Sequence, residues 1–166
     1  MAANLAWALS RLYPNTRAVV WAHDVHISRG GDAQLSFNGG AQMGAYLARL
    51  YPGNYRAVSL LTGQGRYTAT RSFSDHTMID VEAFPSPPGS VESLLSRLPV
   101  PPDAQGLLVD LRRTSDASLR ALATPRSIRH IGYAAYDYGF EMRVVLPMEF
   151  DAVFFIPRTS PSRLLP

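Results

Sequence analysis

Two histidines and an aspartate form the most chemically capable cluster in this sequence. His23 and His26 lie three positions apart, with Asp24 between them. An imidazole exchanges a proton near neutral pH, polarises carbonyl oxygens and binds transition metals. The cluster therefore indicates acid–base chemistry, ester chemistry or metal binding.

The apolar run before the cluster predicts the element that positions it. Val19, Val20 and Trp21 are β-branched or aromatic, and no Gly or Pro interrupts them, which predicts a buried strand. In open α/β sheets, ligands bind outside the carboxyl ends of the strands. Residues three apart on a strand point to opposite faces, so both rings reach one pocket only if the chain turns before His26.

Helical and strand patterns alternate along the rest of the chain. Apolar residues at helical spacing predict helices over residues 2–13 and 41–51, and continuous apolar runs predict strands over 55–62, 106–111 and 150–156. We expect an α/β fold, with a layered sheet of mostly parallel strands flanked by helices, in a single domain over residues 1–166.

Three local features add further expectations. Gly63 and Gly65 predict that the second strand ends at Thr62. The stretch 24–40, rich in Gly, Ser, Asn and Asp, predicts a long loop that forms a lid or pocket wall, or an unstructured excursion. Asp110 precedes two arginines and predicts an ion pair.

Composition excludes several classes of protein. Hydrophobic residues make up 46% and charged residues 17%, and the net charge of +3 comes from scattered arginines without any lysine. Nucleic-acid binders concentrate such charge on one face, so we expect no nucleic-acid partner. No apolar run is long enough to span a membrane. Without cysteine or a signal-peptide pattern, a cytoplasmic location is expected.

The sequence also limits the chemistry. There is no cysteine and no Gly-x-Ser-x-Gly motif, so a serine or cysteine nucleophile is not expected. Zinc needs three or four ligands, and the remaining histidines, His76 and His130, are far from the cluster in sequence. We therefore expect no metal and no cofactor, while a metal-binding domain that uses His23, Asp24 and His26 stays a weaker alternative.

The motif around the histidines resembles one found in the erythromycin esterase family, also described as succinoglycan-biosynthesis-related proteins. Residues 21–26, Trp-Ala-His-Asp-Val-His, are similar to the family's Trp-Ala-His-Asn-x-His. Weaker similarities follow in the family's order at residues 43–47, 62–65, 88–90 and 150–152. The motif's Asn is Asp24 here, and its negative charge favours protonated imidazoles.

The resemblance implies a metal-independent α/β hydrolase that opens a macrolactone ester with water, as in macrolide antibiotic resistance. In that family a histidine and acidic residues of the N-terminal half abstract the proton, and two later histidines complete the pocket. These are His23 and His26 here, as catalytic residues that position or polarise the ester. Trp21, Asp24 and Gln64 are expected to bind the substrate, a macrolide-like small-molecule ester.

The chain resembles the C-terminal half of such an enzyme, which implies an incomplete domain. We therefore expect either self-association or binding of a missing N-terminal half, with no membrane partner. The alternative to an esterase is a non-catalytic binding or remnant domain of the same fold.

Overall fold

The computed structural model describes residues 1–30, 42–113, 117–135 and 142–163. Three helices come first within these ranges, and strands and short helices follow in mixed order. The helices are α1 (Ala2–Arg11), α2 (Asp24–Ile27), α3 (Met43–Leu50), α4 (Val91–Leu95), α5 (Ala117–Arg120) and α6 (Leu146–Glu149). The strands are β1 (Val58–Thr70), β2 (Met78–Glu82), β3 (Leu107–Asp110), β4 (Arg126–Ser127), β5 (Arg143–Val144) and β6 (Ala152–Thr159).

Four strands form the main sheet in the order β2-β1-β6-β3. β1 and β6 are parallel, from Val58 opposite Ala152 to Gly65 opposite Thr159. The other two pairings, β1–β2 and β3–β6, are antiparallel. The α/β fold is confirmed, but the expectation of mostly parallel strands is wrong. A short turn joins β1 to β2, and such connections allow only antiparallel pairing.

Alternate side chains of β6 are buried at the centre of the sheet. Val153 and Phe155 are fully buried, and they lie opposite Ser59 and Leu61 of β1. Removing such side chains from water is the main favourable term in folding. The core cluster comprises Ala57, Leu61, Val91, Leu95, Leu111, Leu122, Ile128, Val144, Leu146, Phe150, Val153 and Phe155.

Asp151 joins three parts of the chain at the start of β6. Its carboxylate accepts hydrogen bonds from the backbone N–H of Ala57 at 2.8 Å and from the Arg29 guanidinium at 3.0 Å. The same guanidinium donates to the carbonyl of Phe150 at 2.9 Å. This contact holds the chain just after α2 against the start of both central strands.

β1 continues through the two glycines that were expected to end it. Gly65 has φ 115°, and a Cβ there would lie 2.2 Å from the carbonyl oxygen of Thr159. Glycine at this position therefore permits close approach of two paired strands rather than a chain reversal. Beyond it, Arg66 to Thr70 pair with β2.

The predicted strand at residues 19–21 is not formed. The backbone is extended there, but Val19 is 97% and Trp21 83% exposed. Among the described residues no strand pairs with this segment. A β-branched run becomes a buried strand only when neighbours cover it, so the expectation of a buried strand at this position is wrong.

The remaining predictions have different outcomes. The helices expected at 2–13 and 41–51 are confirmed as α1 and α3, and Asp110 forms the expected ion pair, with Arg112, at 2.6 Å. This contact lowers the pKa of Asp110. The Gly-rich stretch contains α2 at its start, and its residues 31–40 lie outside the described residues.

Candidate active site at an apolar groove

A groove of about 1350 Å³ lies between the extended segment before α2 and strand β1. Trp21, His23 and Asp24 line one wall, and Leu60 of β1 lines another. The groove exceeds the roughly 300–1,000 Å³ of ordinary small-molecule pockets. It can therefore hold a bulky apolar ligand beside ionisable groups.

The chain turns sharply at His23, which is the N-cap of α2. His23 has non-helical backbone angles (φ −57°, ψ 144°), and Asp24 begins the helix. The N–H of Val25 donates to Asp24 Oδ1 at 3.0 Å, which satisfies one free donor of the first turn. The turn directs His23 toward the groove and leaves His26 exposed in the last turn of α2.

Both ring nitrogens of His23 face oxygen atoms. Nδ1 lies 2.7 Å from Asp24 Oδ1, and Nε2 lies 2.8 Å from the carbonyl oxygen of Ile131. A carbonyl oxygen can only accept, so Nε2 carries the hydrogen in this contact. The protonated ring, with a hydrogen on each nitrogen, satisfies both oxygens.

The electrostatics of the pair favour an imidazolium beside a carboxylate. The hydrogen bond that the His23 ring donates to Asp24 outweighs burial and raises the pKa of His23 above its ordinary value. Burial alone would raise the pKa of Asp24, but the hydrogen bond from His23 and the nearby imidazole charges lower it overall. Opposite charges in contact stabilise each other's ionised forms in this way.

A third ionisable group that the sequence did not indicate lies beside the pair. His130 Nδ1 is 3.8 Å from Asp24 Oδ1, and the rings of His23 and His130 have centroids 5.8 Å apart at an interplanar angle of 21°. The His130 side chain is 1% exposed, and burial lowers its pKa. Only tertiary structure brings this histidine to the site.

The predicted site residues divide into two groups. Trp21, His23 and Asp24 line the groove together. His26 and Gln64 do not: His26 is exposed on α2, and Gln64 is exposed two positions beyond Thr62, the last β1 residue that lines the groove. Their expected roles in catalysis and substrate binding stay predictions.

The sequence profile of a known family, described as erythromycin esterase, matches residues 1–159. The chain belongs to the erythromycin esterase family. A curated relative from Bacillus subtilis (strain 168), named "Putative hydrolase YbfO", is 25% identical over 170 residues. The alignment covers 99% of this chain and 35% of that protein.

Two solved structures share the fold of this erythromycin esterase family chain. A Bacillus cereus protein superposes with a TM-score of 0.81 at 18% identity, over 99% of this chain and 38% of the other. A succinoglycan biosynthesis protein superposes with a TM-score of 0.76 at 24% identity, over 97% and 37%. The chain thus spans about a third of the length of these relatives.

No helix in the described part of this erythromycin esterase family chain has the length and apolar character needed to cross a bilayer.

Proposed function

We propose that this chain carries the ester-binding and ester-polarising part of a metal-independent hydrolase for bulky carboxylic esters such as macrolactones. The observation that carries the proposal is the His23–Asp24 pair, 2.7 Å apart, at the wall of a large apolar groove. The reaction adds water across the ester C–O bond and yields a carboxylic acid and an alcohol.

His23 is the residue that acts on the ester in this proposal. Its Nε2–H donates to the carbonyl of Ile131, itself a residue of the groove wall. A substrate carbonyl entering the groove would take the place of that carbonyl as the acceptor. Asp24 holds the ring in its charged form, so the imidazolium stabilises the oxyanion that forms when water attacks.

The groove supplies the binding energy for a bulky substrate. Trp21 exposes a large aromatic surface along the groove, opposite apolar side chains of α1 and β1 such as Leu9 and Leu60. Burying apolar surface stabilises a complex by roughly 25 cal/mol per Å². A macrolide-like ester, which is large and mostly apolar, fits both the size and the chemistry of this groove.

Removal of the proton from water is assigned to other residues. The family resemblance places that base among a histidine and acidic residues of the N-terminal half, whereas this chain resembles the C-terminal half. We therefore expect the isolated chain to hydrolyse esters slowly, with His26 as a secondary contributor whose removal costs less than removal of His23.

A second candidate function is a non-catalytic binding domain. The observation that favours it is that the Nε2–H of His23 is already satisfied by Ile131 at 2.8 Å, as in a structural histidine. The two candidates differ in one result: a structural histidine affects stability, whereas a polarising histidine also affects the turnover of a correctly folded variant.

The test is the hydrolysis of erythromycin and of p-nitrophenyl butyrate by the wild-type chain and by His23→Ala. The matched control is His76→Ala, because His76 is exposed and hydrogen-bonds to Tyr133, outside the groove. We expect turnover at least tenfold lower in His23→Ala and unchanged in His76→Ala, with both variants folded by circular dichroism. Equal rates of ester hydrolysis by all three proteins would support the binding domain. Rates no faster than hydrolysis in buffer alone would support it as well.

A further inference from the structure

Three side chains that commonly bind metals converge where the extended segment enters α2. His23, Asp24 and His130 each present one ligand atom, and these atoms all lie within 4.8 Å of one another. This set of ligands differs from the metal-binding set suggested by the sequence, because His130 takes the place of His26. Two imidazole nitrogens and a carboxylate oxygen are ordinary zinc ligands.

His130 gives an independent reason to look for a ligand. Its side chain is 1% exposed, and neither ring nitrogen has a hydrogen-bond partner among the described residues. Buried polar atoms without partners are rare, because each loses its hydration without a compensating hydrogen bond. Nδ1 of this ring lies on the side of Asp24 Oδ1, so a cation held between them would satisfy it.

We propose that His23, Asp24 and His130 form a binding site for a divalent transition metal ion, with Zn²⁺ as the best match. Zinc binds nitrogen and oxygen at about 2.0–2.2 Å, so tetrahedral donors lie roughly 3.3 Å apart. The observed separations from Asp24 Oδ1, 2.7 Å to His23 and 3.8 Å to His130, lie on either side of that value. Small side-chain rotations therefore complete the site.

The donor set also selects the class of metal. Mg²⁺ and Ca²⁺ prefer oxygen ligands, whereas imidazole suits zinc, copper and nickel. With three protein ligands, a tetrahedral ion keeps one position for water or another small ligand. His23 and Asp24 line the groove, so this fourth position is reached from it.

Metal binding has a consequence that rests on the proposed function. The ion would occupy the position of the proton between His23 Nδ1 and Asp24 Oδ1, and it would fix the His23 ring. A metal-independent hydrolase that uses this pair would then be inhibited by zinc. Zinc binding itself is measured without any ester, so a failure of the metal proposal and a failure of the ester proposal are distinguishable.

The test is titration of the chain with ZnCl₂ by calorimetry, followed by CoCl₂ titration with visible absorption as a report on coordination. We expect one zinc per chain, at least tenfold weaker binding in His130→Gln and in Asp24→Asn, and unchanged binding in His76→Ala. Asp24→Asn keeps the size of the side chain and the acceptor for Val25, so it tests the site even if His130→Gln fails to fold.

Two outcomes would overturn the proposal. One is the absence of zinc binding by the wild-type chain at millimolar metal. The other is equal affinity in the wild type and Asp24→Asn, which would place the ion elsewhere. Nitrogen-15 spectra of the histidine rings give a direct readout, because zinc should shift the ring nitrogens of His23 and His130 and leave those of His76 in place.

Discussion

The ring of His130 lies 5.8 Å from the ring of His23, centroid to centroid, beneath the wall of the groove. The stretch that carries His130 is held by a buried contact on its neighbour. The backbone N–H of Arg129 donates to Glu92 Oε1 of α4 at 2.8 Å. α4 therefore positions the third ionisable residue of the site, although α4 itself does not line the groove.

Glu92 should make stability depend on pH. Glu92 is fully buried, its Oε2 has no hydrogen-bond partner among the described residues, and burial raises its pKa. The folded protein thus keeps the proton at a pH where the unfolded chain releases it, and the free energy of unfolding falls as pH rises through the folded-state pKa. Glu92→Gln removes this loss. The free energy of unfolding of the variant minus that of the wild type should therefore increase from about pH 4 to about pH 7.

Urea unfolding at several pH values measures this difference for Glu92→Gln. Glu82→Gln is the matched control, because Glu82 is exposed on β2. A Glu92→Gln difference that stays constant or shrinks toward neutral pH would show that the folded state ionises Glu92 as readily as the unfolded chain does.

Asp151 should be among the most sensitive polar positions for stability. Asp151→Ala leaves the backbone N–H of Ala57 and the Arg29 guanidinium without their carboxylate partner. Removing one partner of a largely buried ion pair lowers the free energy of unfolding by about 3 kcal/mol. The exposed pair Arg66–Asp80 provides the control, and Asp80→Ala should cost less than about 1 kcal/mol. Chemical denaturation measures both, and similar losses would refute this role of Asp151.

The extended segment before the site should promote self-association. Val19 and Trp21 are exposed apolar side chains on backbone that no described strand pairs with. Such segments associate with other chains. The double substitution Val19→Thr with Trp21→Thr should reduce association while changing the free energy of unfolding by less than about 0.5 kcal/mol.

Light scattering after gel filtration measures the association state, and urea unfolding measures the stability of the double variant. Leu108→Thr is the control, because Leu108 is 68% exposed on β3, outside the groove. A stability loss above about 2 kcal/mol in the double variant would show that the segment is buried in solution.

Local sequence patterns correctly predict several helices and strands. The amphipathic helices α1 and α3 and the apolar strand β6 appear where the sequence places them. Residues 19–21 have the same strand propensity as β6, yet they stay exposed because a strand also needs neighbours. Gly65 was expected to break β1, but its positive φ serves close contact with Thr159 instead.

The candidate site was predictable only in part, for a similar reason. Sequence neighbours gave Trp21, His23 and Asp24, which do share the groove. Closeness in sequence favours His26, but the N-cap turn at His23 leaves His26 on the exposed side of α2. Distance in sequence argues against His130, and only packing of the chain after β4 brings it beside His23.

The most direct test of the account is whether an ester displaces Ile131 as the partner of His23. Erythromycin would be titrated into the chain labelled with nitrogen-15 at histidine, and the ring resonances would be followed. We expect a saturable shift of His23 Nε2, with His76 unaffected. No change at His23 with erythromycin at millimolar concentration, or equal shifts at both histidines, would contradict the proposed role of His23.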